Sequence, residues 1–187
     1  MKFIYFIILI LFIPKAVGQQ STNALVLKEI LKKYYKIEKP VYKNRSQLLY
    51  FYCDTPNNNE ELVEAVKDKK LPTEFFKEIK SKIKSDTIAK NWSSELEEIY
   101  SIDKSLLKQK IYKCINLENY NQVSKILHLN NQRLMIVSKP LFYSSGNMVL
   151  VKVTFYRNIE HNNGVILLLE KVGADWIIKE ELNVWST

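Results

Sequence analysis

Few residues in this chain could carry out chemistry. His161 follows Glu160 in the stretch Arg157-Asn158-Ile159-Glu160-His161-Asn162-Asn163-Gly164. A histidine can exchange a proton near neutral pH. As a catalytic base it needs an orienting partner and a hydroxyl or water within hydrogen-bond reach. Glu160 is poorly placed for the first role if both residues lie on a strand, because adjacent side chains then point to opposite faces. Asn162-Asn163-Gly164 is turn chemistry, since Asn and Gly tolerate positive φ. These arguments favour a turn between two strands. A hydrolase using His161 or His128 with a nearby carboxylate is the competing expectation. His128 itself lies among apolar residues in KILHLN and reads as a half-buried side chain.

Other catalytic patterns are missing. The chain has no Gly-x-Ser-x-Gly, no His-Glu-x-x-His, no P-loop and no dinucleotide fingerprint. No cofactor is expected. Adjacent acids occur at Glu60-Glu61, Glu97-Glu98 and Glu180-Glu181. Glycoside hydrolysis would need two facing carboxylates about 5–10 Å apart, which spacing alone does not establish. Helix-start and surface roles account for the first two pairs. The aromatics Tyr143, Tyr156, Trp176 and Trp185, with His161, are the candidate ligand contacts. An aromatic pocket without acid–base groups would mark a non-catalytic binding domain.

Cys53 and Cys114 are the two cysteines. A disulfide between them would constrain the unfolded chain by about 4 kcal/mol in the loop-entropy model. Two separate buried thiols are the other reading, favoured by an apolar helical stripe through Leu107, Ile111, Cys114 and Ile115. Two cysteines and two histidines without ligand spacing argue against a metal site.

The elements that must position these residues begin after a leader. MKFIYFIILILFIPKAVG has an early lysine, an apolar run over 3–13, Pro14 and a small-x-small site at Ala16-Val17-Gly18. That layout is a secretory signal peptide over 1–18, too short in its apolar part to span a bilayer. The expected product is exported, periplasmic or secreted, and begins at Gln19. It has no transmembrane segment after cleavage, and residues 19–187 form one domain.

Its first part, 22–115, reads as helical. Leu27, Ile30, Leu31 and Tyr34 share a face of a helix over 22–37 that Thr22 or Asn23 can cap. Short helices are predicted over 59–68, from Pro72-Thr73, after Trp92 with a capping box at Ser94-Glu95-Leu96-Glu97, and from Asp103. QLLYFYC at 47–53 interrupts them as a strand. The segment 116–131 fits neither pattern clearly. Over 132–186, RLMIVSKPLFY, NMVLVKVTFYR, GVILLLEKV and DWIIKEELNVW are β-rich runs with connections too short for helical crossovers. They predict a four-strand antiparallel meander. The expected class is α+β, with N-terminal helices packed on one face of a curved C-terminal antiparallel sheet.

Charge narrows the partners. The formal net charge of +8 falls to +6 without Lys2 and Lys15, and only Arg45, Arg133 and Arg157 are arginines. A lysine-rich, arginine-poor surface argues against nucleic-acid recognition. Lys77, Lys80 and Lys84 share one face of the helix after Pro72. A solvated face explains them, with weak contact to an anionic surface as the functional reading. The expected partner is therefore a small ligand or another protein.

The order SKPLFYSSGNMVLVKVTFY…GVILLLEKVGADWII, about residues 134–185, resembles the tails of uncharacterised exported small α+β proteins of Bacteroidota. That group carries a serine-x-proline-hydrophobic-phenylalanine start, a loop with two cysteines and glycines, a leucine-rich strand and a glycine-x-tryptophan-like turn. Here the loop is residues 157–164; Gly164 survives and both cysteines are absent. Whatever those cysteines do in the group, this loop lacks it. The turn before Trp176 is also similar to the last hairpin of NTF2-like domains.

Overall fold

The computed structural model describes residues 20–35, 40–42, 45–46, 48–85, 90–102, 114–127, 132–144 and 147–187. The expected leader over 1–18, the helix expected from Asp103 up to residue 113, and His128 lie outside these residues.

Helix α1 (Thr22–Tyr35) is the first element of the described residues. Its cap is Ser21, not Thr22 or Asn23: the Ser21 hydroxyl accepts the Ala24 N–H at 3.1 Å. This satisfies one of the free N–H groups of the first turn. A small pair, β1 (Pro40–Tyr42) and β2 (Arg45–Ser46), precedes β3 (Leu48–Phe51) and β4 (Asp54–Thr55). Then come α2 (Glu61–Val66), α3 (Thr73–Ser85), β5 (Lys90–Asn91) and α4 (Ser93–Ile102). The α4 start is held by Asn91, whose side-chain oxygen accepts the Ser93 N–H at 2.8 Å, while the Ser94 hydroxyl turns to Glu95. Helix α5 (Leu117–Leu127) follows and takes up most of the described part of the segment 116–131. The remaining strands are β6 (Gln132–Val137), β7 (Leu141–Phe142), β8 (Met148–Tyr156), β9 (Asn162–Val172) and β10 (Asp175–Ser186).

The chain is α+β, and it differs from the expected arrangement in two respects. First, the sheet is mixed. Its order is β10-β9-β8-β6-β3, and β7 also pairs with β8. The C-terminal strands are antiparallel to one another, but β3 runs parallel to β6, with Leu48 opposite Gln132 and Phe51 opposite Met135. The helices between β3 and β6 supply the long crossover that a parallel pair requires.

Second, helices cover both faces. On one face, Leu27, Ile30 and Leu31 of α1 and Leu96 and Ile99 of α4 meet Val149, Val151, Val153, Leu167 and Leu169. On the other, Leu62 and Val66 of α2 and Phe75 and Ile79 of α3 meet Leu150, Ile166 and Leu168. Strand β9 alternates between the two cores, which is why Val165 to Leu169 are all buried.

Two irregularities aim side chains. β6 and β7 occupy one line along β8, separated by Ser138-Lys139-Pro140. There the Ser138 N–H donates to Lys152 O at 2.8 Å, and the Ser138 hydroxyl accepts the Lys152 N–H at 2.9 Å. A side chain thus substitutes for a strand carbonyl where the chain bends. In β10 the register shifts between Ile178 and Glu180 and again between Leu182 and Trp185. The first of these bulges turns the two residues to opposite faces, Trp176 into the first core and Leu182 into the second.

Cys53 and Cys114 form a disulfide with a Cα separation of 4.9 Å. Cys114 and Ile115 are not helical. Ile115 bridges to Tyr52 in parallel, and its N–H donates to Phe51 O at 2.8 Å. The bond ties the end of β3 to the segment entering α5.

Candidate functional site

The loop between β8 and β9 is organised by one side chain. Asn158 Oδ1 accepts the N–H of Glu160 at 3.0 Å and that of His161 at 2.8 Å, and lies 3.2 Å from His161 Nδ1. This is Asx-turn geometry. The turn holds His161 beside a cavity of about 190 Å³ at the end of the sheet. The walls include Arg133 from β6, Phe155 and Arg157 from the end of β8, and Asn162 and Asn163 from the start of β9. Ser186 and Thr187 close the remaining side. Thr187 is pinned there by its N–H, which donates to Asn162 O at 2.8 Å.

The register explains the convergence. Met135 pairs with Phe155, and Phe155 with Asn163. With period-two alternation, Arg133, Phe155, Arg157 and Asn163 project from the same face, beyond the apolar core. Phe155 forms the floor and stacks edge-on against Tyr34 at 4.8 Å between centroids.

The lining holds two guanidinium groups and an imidazole, with no Asp or Glu among its side chains. Neither arginine forms an ion pair with a carboxylate of the described residues. The Asn162 and Asn163 side-chain oxygens are buried and accept no hydrogen bond. Both arginines also act on one phenol behind the site. Tyr120 is buried and points its hydroxyl at Tyr156 O and Arg157 O, each 3.4 Å away. Burial pushes its pKa up to about 12, while Arg157 and Arg133 pull it the other way. Such a cavity can hold an oxyanion: guanidinium forks match carboxylate and phosphate oxygens.

The sequence-derived candidates do not come together. His161 lines the cavity, but Tyr143, Tyr156, Trp176 and Trp185 do not. Trp176 is in the core, edge-on to Phe142 at 5.7 Å. Tyr143 packs on Phe75 in the other core, at 5.2 Å between ring centroids. Tyr156 stacks on Tyr120. Trp185 lies over Gly164, with Lys152 Nζ 5.5 Å from its ring centroid. Reasoning from sequence missed Arg133, Asn162 and Asn163 as site residues. One signal was present: arginines are scarce in this lysine-rich chain, and one lies near the start of β6 and another directly follows β8.

The adjacent acids have separate structural partners. Glu180 pairs with Lys69 and Glu181 with Lys33, on opposite sides of β10. Glu61 pairs with Lys152, and Glu98 accepts the Ser21 N–H at 2.5 Å. On α3, Phe75 and Ile79 are buried, while Lys77, Lys80 and Lys84 are exposed. Among the described residues, no cluster of three or more His, Cys, Asp or Glu could hold a metal ion, and no helix is long and apolar enough to cross a membrane. No protein-family model, curated protein or solved structure matches this chain.

Proposed function

We propose that this protein is an exported, non-catalytic binding domain that holds a small oxyanion, of the carboxylate or phosphate class, in the sheet-end cavity. The observation that carries this reading is the convergence of Arg133, Arg157 and His161 on one cavity whose side chains include no acid. The hydrolase expected from the sequence would pair His161 with a nearby carboxylate. The ring's partner is instead the uncharged Asn158 amide, which favours binding over proton transfer. Export by the leader and kinship with the exported Bacteroidota proteins belong to the same proposal.

Calorimetry with inorganic phosphate and with succinate tests the site. One of the two probes should bind, more tightly at low salt, and Arg133→Gln or Arg157→Gln should weaken it by at least about tenfold. A parent protein that binds neither probe overturns the proposal. An esterase or phosphatase activity abolished by His161→Ala would replace it with the hydrolase reading. Export has its own check: mass spectrometry of the native protein should find a start near Gln19, and intact Met1 in a membrane fraction would refute it.

A further inference from the structure

A second cavity, of about 290 Å³, opens beneath the loop from Pro56 to Asn59, on the face of the sheet that carries α2 and α3. Its polar lining includes Asn57, Asn58, Asn59, Lys152 and Thr154, and Leu62 and Ile136 supply an apolar floor. Its charge is balanced. Lys152 projects from the middle of β8, and its ammonium is paired with Glu61. The Trp185 ring covers another side of that ammonium, and Asn183 Nδ2 donates to the second Glu61 oxygen at 3.4 Å. An added anion would have to compete with a carboxylate already in place.

Asn58 fixes the complementary requirement. Its Nδ2 donates to Lys139 O at 2.9 Å. Rotating the amide by half a turn would bring two oxygens together, so the orientation is determined. Its Oδ1 is left buried with no hydrogen-bond partner. A buried acceptor without a donor costs about 1–3 kcal/mol, and because Asn58 lines this cavity, a small shift of its loop would open that oxygen to a hydroxyl of a bound molecule. The exposed amides of Asn57 and Asn59 each offer a donor and an acceptor, and Thr154 adds a hydroxyl. Vicinal hydroxyl groups, which also donate and accept, match this set, and their C–H face matches Leu62 and Ile136.

We propose that this cavity binds a neutral polyhydroxylated molecule of monosaccharide size, independently of the oxyanion site. The test is a titration of isotopically labelled protein with N-acetyl-D-glucosamine and with methyl α-D-mannopyranoside, followed by NMR. At least one sugar should produce saturable shifts at the side-chain amides of Asn57, Asn58 and Asn59 and at Thr154. Affinity should fall by about tenfold in Thr154→Val and in the exposed double variant Asn57→Ala/Asn59→Ala, the loss of one or two hydrogen bonds. Arg133→Gln should leave it unchanged. Three results would each overturn the proposal: no saturable shift with either sugar, equal affinity in both cavity variants, or displacement of the sugar by inorganic phosphate.

Discussion

Gly164 shows how one residue can be read correctly in type and wrongly in role. In the sequence it closes Asn162-Asn163-Gly164 and looks like part of a turn. In the structure it lies within β9, paired with Trp185 on one side and Thr154 on the other. A Cβ at this position would come within 2.6 Å of the Trp185 ring. The absent side chain is therefore what lets the indole lie flat on the strand. Gly164→Ala should displace Trp185 and destabilise the protein by about 1–3 kcal/mol, the usual cost of overpacking, read as a lower melting temperature. Trp176 belongs to the opposite class. It is 5 % exposed in the core, and its place at the start of the last strand was legible from Gly173-Ala174-Asp175 before it. Trp176→Ala should cost about 3–5 kcal/mol. His161→Ala, at an exposed loop position, should change stability by no more than about 0.5 kcal/mol. A melt of Trp176→Ala that matches the parent would remove Trp176 from the core.

Among elements, the strands were the most legible and the helix starts the least. The alternation of Val149, Val151, Val153 and Phe155 is a property of the local chain, so it survives into β8 without reference to anything distant. Cap choice is decided by which nearby side chain turns back to the first N–H groups, and the sequence reading misses it by one residue at α1 and by three at α4. β10 was hard to read because its bulges reset the alternation twice, with Asn183 at φ 43° inside the second. Bulges, and outward charges such as Lys179, suit an edge strand of this length, since they discourage pairing with another chain. The Ser-Lys-Pro segment between β6 and β7 has a specific duty. Ser138→Ala would remove the acceptor for the Lys152 N–H in a buried part of the sheet. It should cost about 1–3 kcal/mol and accelerate hydrogen exchange at the Lys152 amide. Unchanged protection there would mean that the backbone finds another acceptor.

For the whole molecule, composition and strand order pointed to α+β, but not to the covering of both faces or to the parallel strand. Both depend on contacts between distant parts of the chain. The apolar run in β9 was the one local hint, because a strand buried on both sides needs a layer on each. The sheet-end cavity was legible only in its scarce arginines, for the same reason: β6, the β8–β9 loop and the end of β10 meet there only after folding. Two buried phenols also set the response to alkali. Burial, the largest effect at each, raises the pKa of Tyr34 and that of Tyr120, which reaches about 12 from an ordinary 10.0. The folded state therefore favours the protonated phenols. Their contribution is fully present below about pH 10 and is lost as pH climbs through the folded-state values. Melting temperature should fall steeply between about pH 10 and pH 12, and Tyr120→Phe should flatten that fall. Equal slopes in parent and variant would show that Tyr120 ionises without unfolding the protein.

The parallel pairing of β3 with β6 also has a consequence in time. A chain that enters its folding compartment N-terminus first presents α1 and β3 well before the strands they pack against. Leu27, Ile30 and Leu31 have no sheet to cover until β8 and β9 have been made. Late-closing contacts of this kind slow folding and leave apolar surface open to aggregation. The disulfide bears on that interval, because Cys53 and Cys114 both precede β6. Once joined, they can hold Ile115 against Phe51 and Cys53 through the backbone bonds seen in the finished fold. β6 then arrives at a strand edge already in place, and the parallel pairing becomes the addition of one strand to a waiting template.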